Sequence, residues 1–492
     1  MSLINITNLN FSYPGSYDPI FENVSFQIDT DWKLGFIGRN GRGKTTFLSL
    51  LMGDYPYLGQ ISHTTKFEYF PYQVSHPHKN TIDVMKDICQ DTMDWEIVRE
   101  IYWLDLKEEV LHRPFKTLSN GEQTKVLLAA LFLTSHRFLL IDEPTSHLDL
   151  EARKTVRDYL KQKKGFILVS HDRSLLDECI DHVLSINKTN IEIQKGNFTS
   201  WWENKTMQDN YELAKDKKLR SEIGRLAHSA NQLAGWSDKI EKTKYQPDSS
   251  GSKVDKGYVG HKSAKVMKRA KHIEARQQDA IKEKSKLLHN IDRNDDLKIW
   301  PIDFYKDPLI TLNKLSLFYD HHEIFHEVSF RVEKGDRIAL MGKNGCGKSS
   351  LLKLIHGDKI TCTGDLSVGS GLKISYIPQD TSFLKGNLND FVYDHKVDGT
   401  LFKTILSKLD FGQEQFEKDM DDFSSGQKKK VLIAKSLCEK AHLYIWDEPI
   451  NYIDILSRMQ LEKVILEYKP TLLFVEHDSS FCQNIGTKSI ML

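Results

Sequence analysis

The sequence predicts an α/β protein with two globular domains in tandem, joined by a long α-helical hairpin. Three observations predict it. A glycine-rich pattern is written twice, GRNGRGKT from Gly38 to Thr45 and GKNGCGKS from Gly342 to Ser349, 304 residues apart. Each copy is followed, in the same order, by LSNGE or FSSGQ, then Asp-Glu-Pro, then His-Asp, at steps of 80, 104 and 133 residues in the first copy and 81, 105 and 135 in the second. Between the copies lies a charged, repeat-free stretch of a different character. One short match is weak, but four motifs repeated in register place two copies of one domain in the chain.

The first domain is expected over residues 1–200. Apolar runs at Lys33–Ile37, Arg137–Ile141 and Gly165–Val169 each lead into a polar motif. The second domain, over 306–492, repeats the order with Arg337–Met341, His442–Trp446 and Thr471–Val475. Strands alternating with helical stretches imply a mostly parallel sheet covered by helices, with ligands at the carboxyl ends of the strands. Residues 201–305 read as the hairpin. In 203–242, Ile223, Leu226, Ala230, Leu233 and Ile240 keep a 3–4 apolar spacing broken only at Ser237. In 263–292, Ala270, Ile273, Gln277, Ile281, Leu288 and Ile291 keep a weaker one, as two coiled-coil helices would. The segment 243–263 holds Pro247 and several Gly and Ser residues, so a tip loop is expected there. About 40 helical residues would extend the hairpin roughly 60 Å.

The 492 residues suffice for two or three domains with their own cores. The longest apolar run, Val126–Leu133, is far short of the ~20 residues of a spanning helix, and the first residues lack a charged and then apolar leader. No membrane partner and a cytoplasmic location are therefore expected. The six cysteines show no CxxC spacing and read as thiols in a reducing compartment. Formal charge is zero, with 68 Lys and Arg against 68 Asp and Glu, so nucleic-acid affinity has to come from local patches.

The motifs specify nucleotide chemistry. A glycine-rich loop opening a helix turns backbone N–H groups and the helix dipole toward phosphate oxygens. This assigns ATP contacts to Gly38, Asn40, Gly41, Gly43, Lys44, Thr45 and Thr46, and to Gly342, Asn344, Gly345, Gly347, Lys348, Ser349 and Ser350. Lys44 and Lys348 would reach the β- and γ-phosphates, and Thr45 and Ser349 would hold Mg²⁺. Asp142 and Asp447 end apolar strands, where a carboxylate can hold the metal through water. Glu143 and Glu448 follow, placed to orient or deprotonate the attacking water. His171 and His477 end the next strands and would contact the γ-phosphate. These four, Glu143, Glu448, His171 and His477, are the candidate catalytic residues of an ATPase.

Over both domains these motifs resemble the nucleotide-binding domains of ATP-binding-cassette (ABC) proteins. In that family the LSGGQ-type signature of one domain caps the ATP held by the other. The resemblance thus implies two composite sites, Lys44 with Ser424 and Gly426, and Lys348 with Ser119 and Gly121. It matches Gln73 (YFPYQ) and Gln379 (YIPQD) to the metal- and phosphate-sensing glutamine, and Tyr13 and Tyr319 to the adenine-stacking aromatic. Neither signature is complete: Asn120 and Glu122 depart from it in the first copy, Phe423 and Ser425 in the second. These departures would make the two sites unequal in turnover.

The linker resembles that of the ABC-F proteins, tandem cassettes that act on ribosomes. From Lys239 to Arg276 there are eleven Lys and Arg against four Asp and Glu, including the run Lys262–Lys271 (KSAKVMKRAK). A local excess of this kind suits RNA phosphates through counterion release, and Tyr245 and Tyr258 would stack on unpaired bases. Within ABC-F, the segments WKLGFIGRNGRGKTT, HRPFKTLSNGEQTKVLL, GFILVSHDRS, VMKRAKHI and LYIWDEPINYID are similar to those of the antibiotic-resistance branch, the Lsa- and Vga-like ribosomal protection proteins. That resemblance implies a monomer acting on the 70S ribosome, touching 23S rRNA and tRNA at the tRNA exit site. Its linker loop would lie near the peptidyl-transferase centre, displacing lincosamides, streptogramin A or pleuromutilins. Any arm inserted between Gln73 and Leu118 is expected to be small, with no long basic tail after His477. The alternatives are a housekeeping translation factor of the same group, a transporter ATPase subunit, and a DNA-acting tandem cassette.

Overall fold

The computed structural model describes residues 2–492 apart from 15–18, 90–91, 135–136, 147, 187–190, 244–255, 286–296 and 320–321. It forms two compact units, Met1–Phe198 with Arg293–Leu492, and Thr199–Asp292. The first unit holds both cassettes, each built on a central, mainly parallel sheet.

In the first cassette the strand order is Lys66–Phe70, Arg137–Asp142, Phe166–Val169, Lys33–Ile37, His182–Ile186 and Ile191–Lys195, with only the last strand antiparallel to its neighbour. In the second it is Ile374–Ile377, Leu443–Asp447, Leu472–Val475, Arg337–Met341 and Lys488–Met491, all parallel. Strands buried on both faces need unbroken apolar runs, which LYIW and FILV supply. Their side chains alternate between two cores, as the pleat demands. Tyr444, Trp446, Leu472 and Phe474 pack with the helical side, including Val431–Leu437 and Phe402. Leu443, Ile445, Leu473 and Val475 pack with Leu351, Leu352 and Ile355 and with the antiparallel sheet led by Ile310–Tyr319. The helix opened by each glycine-rich loop is thereby clamped between a parallel sheet and a three-stranded antiparallel one. The latter is Phe21–Asp29, Leu3–Phe11 and Leu58–Ser62 in the first cassette.

The second unit is built on a 46-residue helix, Phe198–Thr243, whose first residue belongs to the first unit, and on a 30-residue helix, Lys256–Ser285. Part of the segment expected as loop is therefore helical: 244–255 lie outside the described residues, but the second helix starts at Lys256 rather than at 263. Gly257 and Gly260 each cost only about 1 kcal/mol in a helix interior, which a 30-residue helix tolerates. Along it Ser263, Ala270 and Ala280 are buried, whereas Ile281, expected on the seam, is 47% exposed. Leu288 and Ile291 lie outside the described residues. Among the described residues no helix is long and apolar enough to cross a membrane.

Candidate active sites

Each glycine-rich loop joins a strand to a helix starting at its lysine, Lys44–Met52 and Lys348–His356. The residue before each lysine is left-handed, Gly43 at φ 91° and Gly347 at φ 93°. A Cβ there would also sit 2.5 Å from Ile20 or Ile324, so only glycine brings the backbone this close. Lys44 Nζ donates to the carbonyls of Gly38 (2.7 Å) and Arg39 (3.2 Å), and Lys348 Nζ to those of Gly342 (2.9 Å) and Lys343 (2.8 Å). Both ammonium groups are therefore tucked under their own loops, aimed at the phosphate cradle.

Two cavities open beside these loops, each built from both cassettes. The first, about 630 Å³, brings Tyr13, Asn40, Gly41, Gly43, Lys44, Thr45, Thr46, Asp142, Glu143 and His171 of the first cassette against Ser424 and Gly426 of the second. The second, about 1210 Å³, brings Tyr319, Asn344, Gly345, Gly347, Lys348, Ser349, Ser350, Gln379, Glu448 and His477 against Ser119 and Gly121. Both signature serines cap their helices by accepting from the N–H three residues on, Glu122 or Gln427, at 3.3 Å. The substituted Glu122 closes the same capping box as Gln427, so its departure from the family pattern leaves the local fold intact. The cassettes also bond directly, Asn40 Nδ2 donating to the Tyr452 carbonyl at 2.8 Å and Arg42 pairing with Asp410 at 3.2 Å.

The hydroxyl groups of Thr45 and Ser349 donate to Asp142 Oδ2 (3.0 Å) and Asp447 Oδ1 (3.1 Å). Burial raises both carboxyls, Asp447 to about 6 despite the Ser349 bond. Asp447 Oδ2 is buried without a hydrogen-bond partner. A hydroxyl beside a buried carboxylate with a spare oxygen fits a hard cation such as Mg²⁺. The neighbouring glutamates are left-handed, Glu143 at φ 52° and Glu448 at φ 47°, and their N–H groups extend the sheet by donating to Val169 O (2.9 Å) and Val475 O (3.0 Å).

Their carboxylates differ. Glu143 Oε1 lies 3.5 Å from His171 Nε2 but is buried without a hydrogen bond, and burial beside Asp142 raises the group to about 7. Burial also acts on Glu448, yet His477 at 3.4 Å and Gln379 hold it below its ordinary value. Asn451 Nδ2 adds a bond to Glu448 Oε2 at 2.5 Å. Burial, with Lys44 and Arg458 nearby, lowers the His171 imidazole well below its ordinary value.

Gly38, Gly342 and Asp447 stand behind the cavity linings, where they hold Lys44, Lys348 and Ser349; Gln73 is not brought in at all. Gln73 is exposed and outside the lining of the first cavity. The cause is register: Gln379 stands three residues after Tyr376, whereas Gln73 stands four after Tyr69, so Tyr72 occupies the equivalent position. In its place the Tyr69 hydroxyl donates to Asp142 Oδ2 at 3.1 Å. Sequence reasoning also missed Asn451, Tyr452, Arg153 and Arg458, all of which line the first cavity. A signal for the two arginines was present, since each stands four residues after an aspartate in register, Asp149 and Asp454.

A fold of two facing P-loop cassettes with interleaved signatures defines the class, and comparison with known proteins gives the family. The ABC transporter family model matches residues 21–146 and 325–451, so the chain belongs to the ABC family, with two ATPase domains that hydrolyse ATP. Relatives match over nearly the whole chain at low identity. The ATP-binding protein Uup of Buchnera aphidicola is 27% identical over 99% of this chain and 80% of its own length. The ribosome protection protein VmlR of Bacillus subtilis is 26% identical over 99% and 86%. Among solved structures, the archaeal ribosome recycling factor aABCE1, in complex with the ribosomal stalk protein aP1, aligns with TM-score 0.62 at 18% identity, covering 98% of this chain and 87% of that one. At that identity the likeness is one of fold.

Proposed function

We propose that this chain is an ABC-F ATPase of the cytoplasm that binds the 70S ribosome at the tRNA exit site and displaces peptidyl-transferase antibiotics with its linker loop. The observation that supports the ribosomal reading best is the match to VmlR across 99% of the chain, linker included. The eleven basic residues between Lys239 and Arg276 supply the local positive charge that rRNA and tRNA phosphates would need. Lincosamides, streptogramin A and pleuromutilins are the proposed drug classes.

In the proposed cycle each ATP is held by one glycine-rich loop and capped by Ser424 and Gly426, or Ser119 and Gly121, of the facing cassette. Bound Mg²⁺ would neutralise charge on the β- and γ-phosphates, held by Thr45 with Asp142 and by Ser349 with Asp447 and Gln379. Tyr13 and Tyr319 would stack on adenine. Glu143 and Glu448 orient a water and take its proton as its oxygen bonds to the γ-phosphorus and the bond to ADP breaks. His171 and His477 steady the transferred group. ATP binding closes the cassettes in the ribosome-binding form, and hydrolysis releases it.

The double variant Glu143→Gln, Glu448→Gln is expected to stay on ribosomes in ATP, and its sedimentation free of them would overturn the ribosomal reading. A sensitive host expressing the chain should gain resistance that deletion of 246–257 abolishes. The alternative reading, a housekeeping translation factor of the same group, is the one an unchanged drug response would select.

A further inference from the structure

Arg458 lies in the first turn of the helix Ile455–Tyr468 and is buried, 6% exposed. Its Nε donates to its own cassette, to Ile453 O at 2.8 Å. Its Nη1 donates twice. One bond, at 3.1 Å, goes to Asp478 Oδ2, the carboxylate next to His477 of the second site. The other, at 3.0 Å, crosses to the first cassette and ends on the carbonyl of His171. One guanidinium nitrogen thus touches the segments that carry both candidate catalytic histidines. The same helix makes a second buried crossing, Glu462 pairing with Arg173, two residues after His171.

The matching residue of the first cassette does less. Arg153 Nε donates to Leu148 O at 3.0 Å, as Arg458 does to Ile453, and its Nη1 lies 3.6 Å from Asp172 Oδ2 in its own cassette. No bond joins Arg153 to the carbonyl of His477 among the described residues. The interface is therefore asymmetric at this point: the second cassette holds the histidine backbone of the first site, and the first cassette does not return the contact.

We infer that Arg458 is a positioning residue for the first ATP site, supplied in trans by the second cassette. Fixing the His171 carbonyl fixes the imidazole facing Glu143, so the histidine of the first site is in place only while the cassettes are closed. When they part, Arg458 keeps Asp478 and is not left unpaired, and His171 alone loses its support. Such a contact links the first site's histidine to closure, a link that the second site, composite as it is, lacks. A purely structural arginine would stabilise the interface without distinguishing the two sites.

The inference rests on both sites being hydrolytic, so the test isolates them. In a Glu448→Gln background only the first site turns over, and in a Glu143→Gln background only the second. If either background alone shows no turnover, the two-site reading fails whatever Arg458 does. With both active, Arg458→Lys keeps a charge beside Asp478 but lacks the planar fork that reaches two acceptors at once. It is expected to lower kcat of the first site about tenfold, with KM for ATP within twofold, and to leave the second site within twofold. Asp478→Asn, which removes the charge pair and spares the His171 contact, should leave the first site within twofold. Equal losses at both sites after Arg458→Lys, no loss at the first, or an equal loss at the first site after Asp478→Asn would overturn the assignment. Thermal unfolding of each variant alongside the parent confirms that folded protein is compared.

Discussion

The two cassettes share their phosphate-facing parts and differ around the catalytic carboxylates. The lysines, the loop glycines, the capped signature serines and the left-handed glutamates superimpose in chemistry and nearly in distance. Around Glu448 stand His477, Gln379 and Asn451. Glu143 has His171 at 3.5 Å, with Gln73 out of register and Ser146 where the second cassette has Asn451. A second difference lies deeper: Lys430 and Asp454 form a buried pair at 3.3 Å, while Lys125 and Asp149, the matching residues, form no such pair among the described residues. Binding a phosphate leaves little freedom in backbone geometry, so duplicated loops stay alike. A carboxylate can be held by several combinations of neighbours, so its surroundings drift.

The largest expected effect falls on turnover. Glu143→Gln and Glu448→Gln should each lower hydrolysis at their own site by ~10²–10⁴-fold. The rate left in each single variant belongs to the other site, so the ratio of the two residual rates measures the asymmetry directly. An undiminished total rate in either variant would remove that glutamate from catalysis. Next comes Asp454→Asn, which strands the buried Lys430 ammonium and should cost ~3–5 kcal/mol in urea unfolding. Asp149→Asn, where asparagine caps the helix as well as aspartate does, should stay within about 0.5 kcal/mol. Lys430, Arg39 and the Ser457 N–H hold Asp454 well below the ordinary carboxylate range despite its burial. Its contribution is thus present above the unfolded pKa of about 3.9 and is lost only as pH falls through the much lower folded value. Two modest losses should be equal: Ser119→Ala and Ser424→Ala each remove one N-cap worth about 1 kcal/mol. Unequal losses there would show that the asymmetry reaches the signature helices.

Much of this architecture is legible in the residues. The runs Lys33–Ile37 and Arg337–Met341 are strands to the residue, because an apolar segment buried on both faces has sharp polar ends. The composite cavities follow from the family resemblance and not from spacing, since no local pattern says that Ser424 will face Lys44. What stayed hidden depends on distant partners or on single-residue register. Arg458 reads as one more helix arginine until His171, 287 positions away, supplies its acceptor. Gln73 looks equivalent to Gln379 until the extra residue after Tyr69 turns it outward. The start of the helix at Lys256 was masked by two glycines whose penalty is small against its length.

The left-handed backbone at Glu143 and Glu448 separates two clocks. A non-glycine residue in that conformation costs of order 1–3 kcal/mol, and here its N–H is pinned to Val169 or Val475 in the adjacent strand. That cost is met once, when the sheet forms. The aim of each carboxylate is then a property of the folded chain and needs no rearrangement of the main chain each time a nucleotide arrives. In the proposed cycle, what recurs with every turnover is the approach of the two cassettes. The renewable part of that cycle is thereby confined to the interface, where a single arginine already marks one site as different from the other.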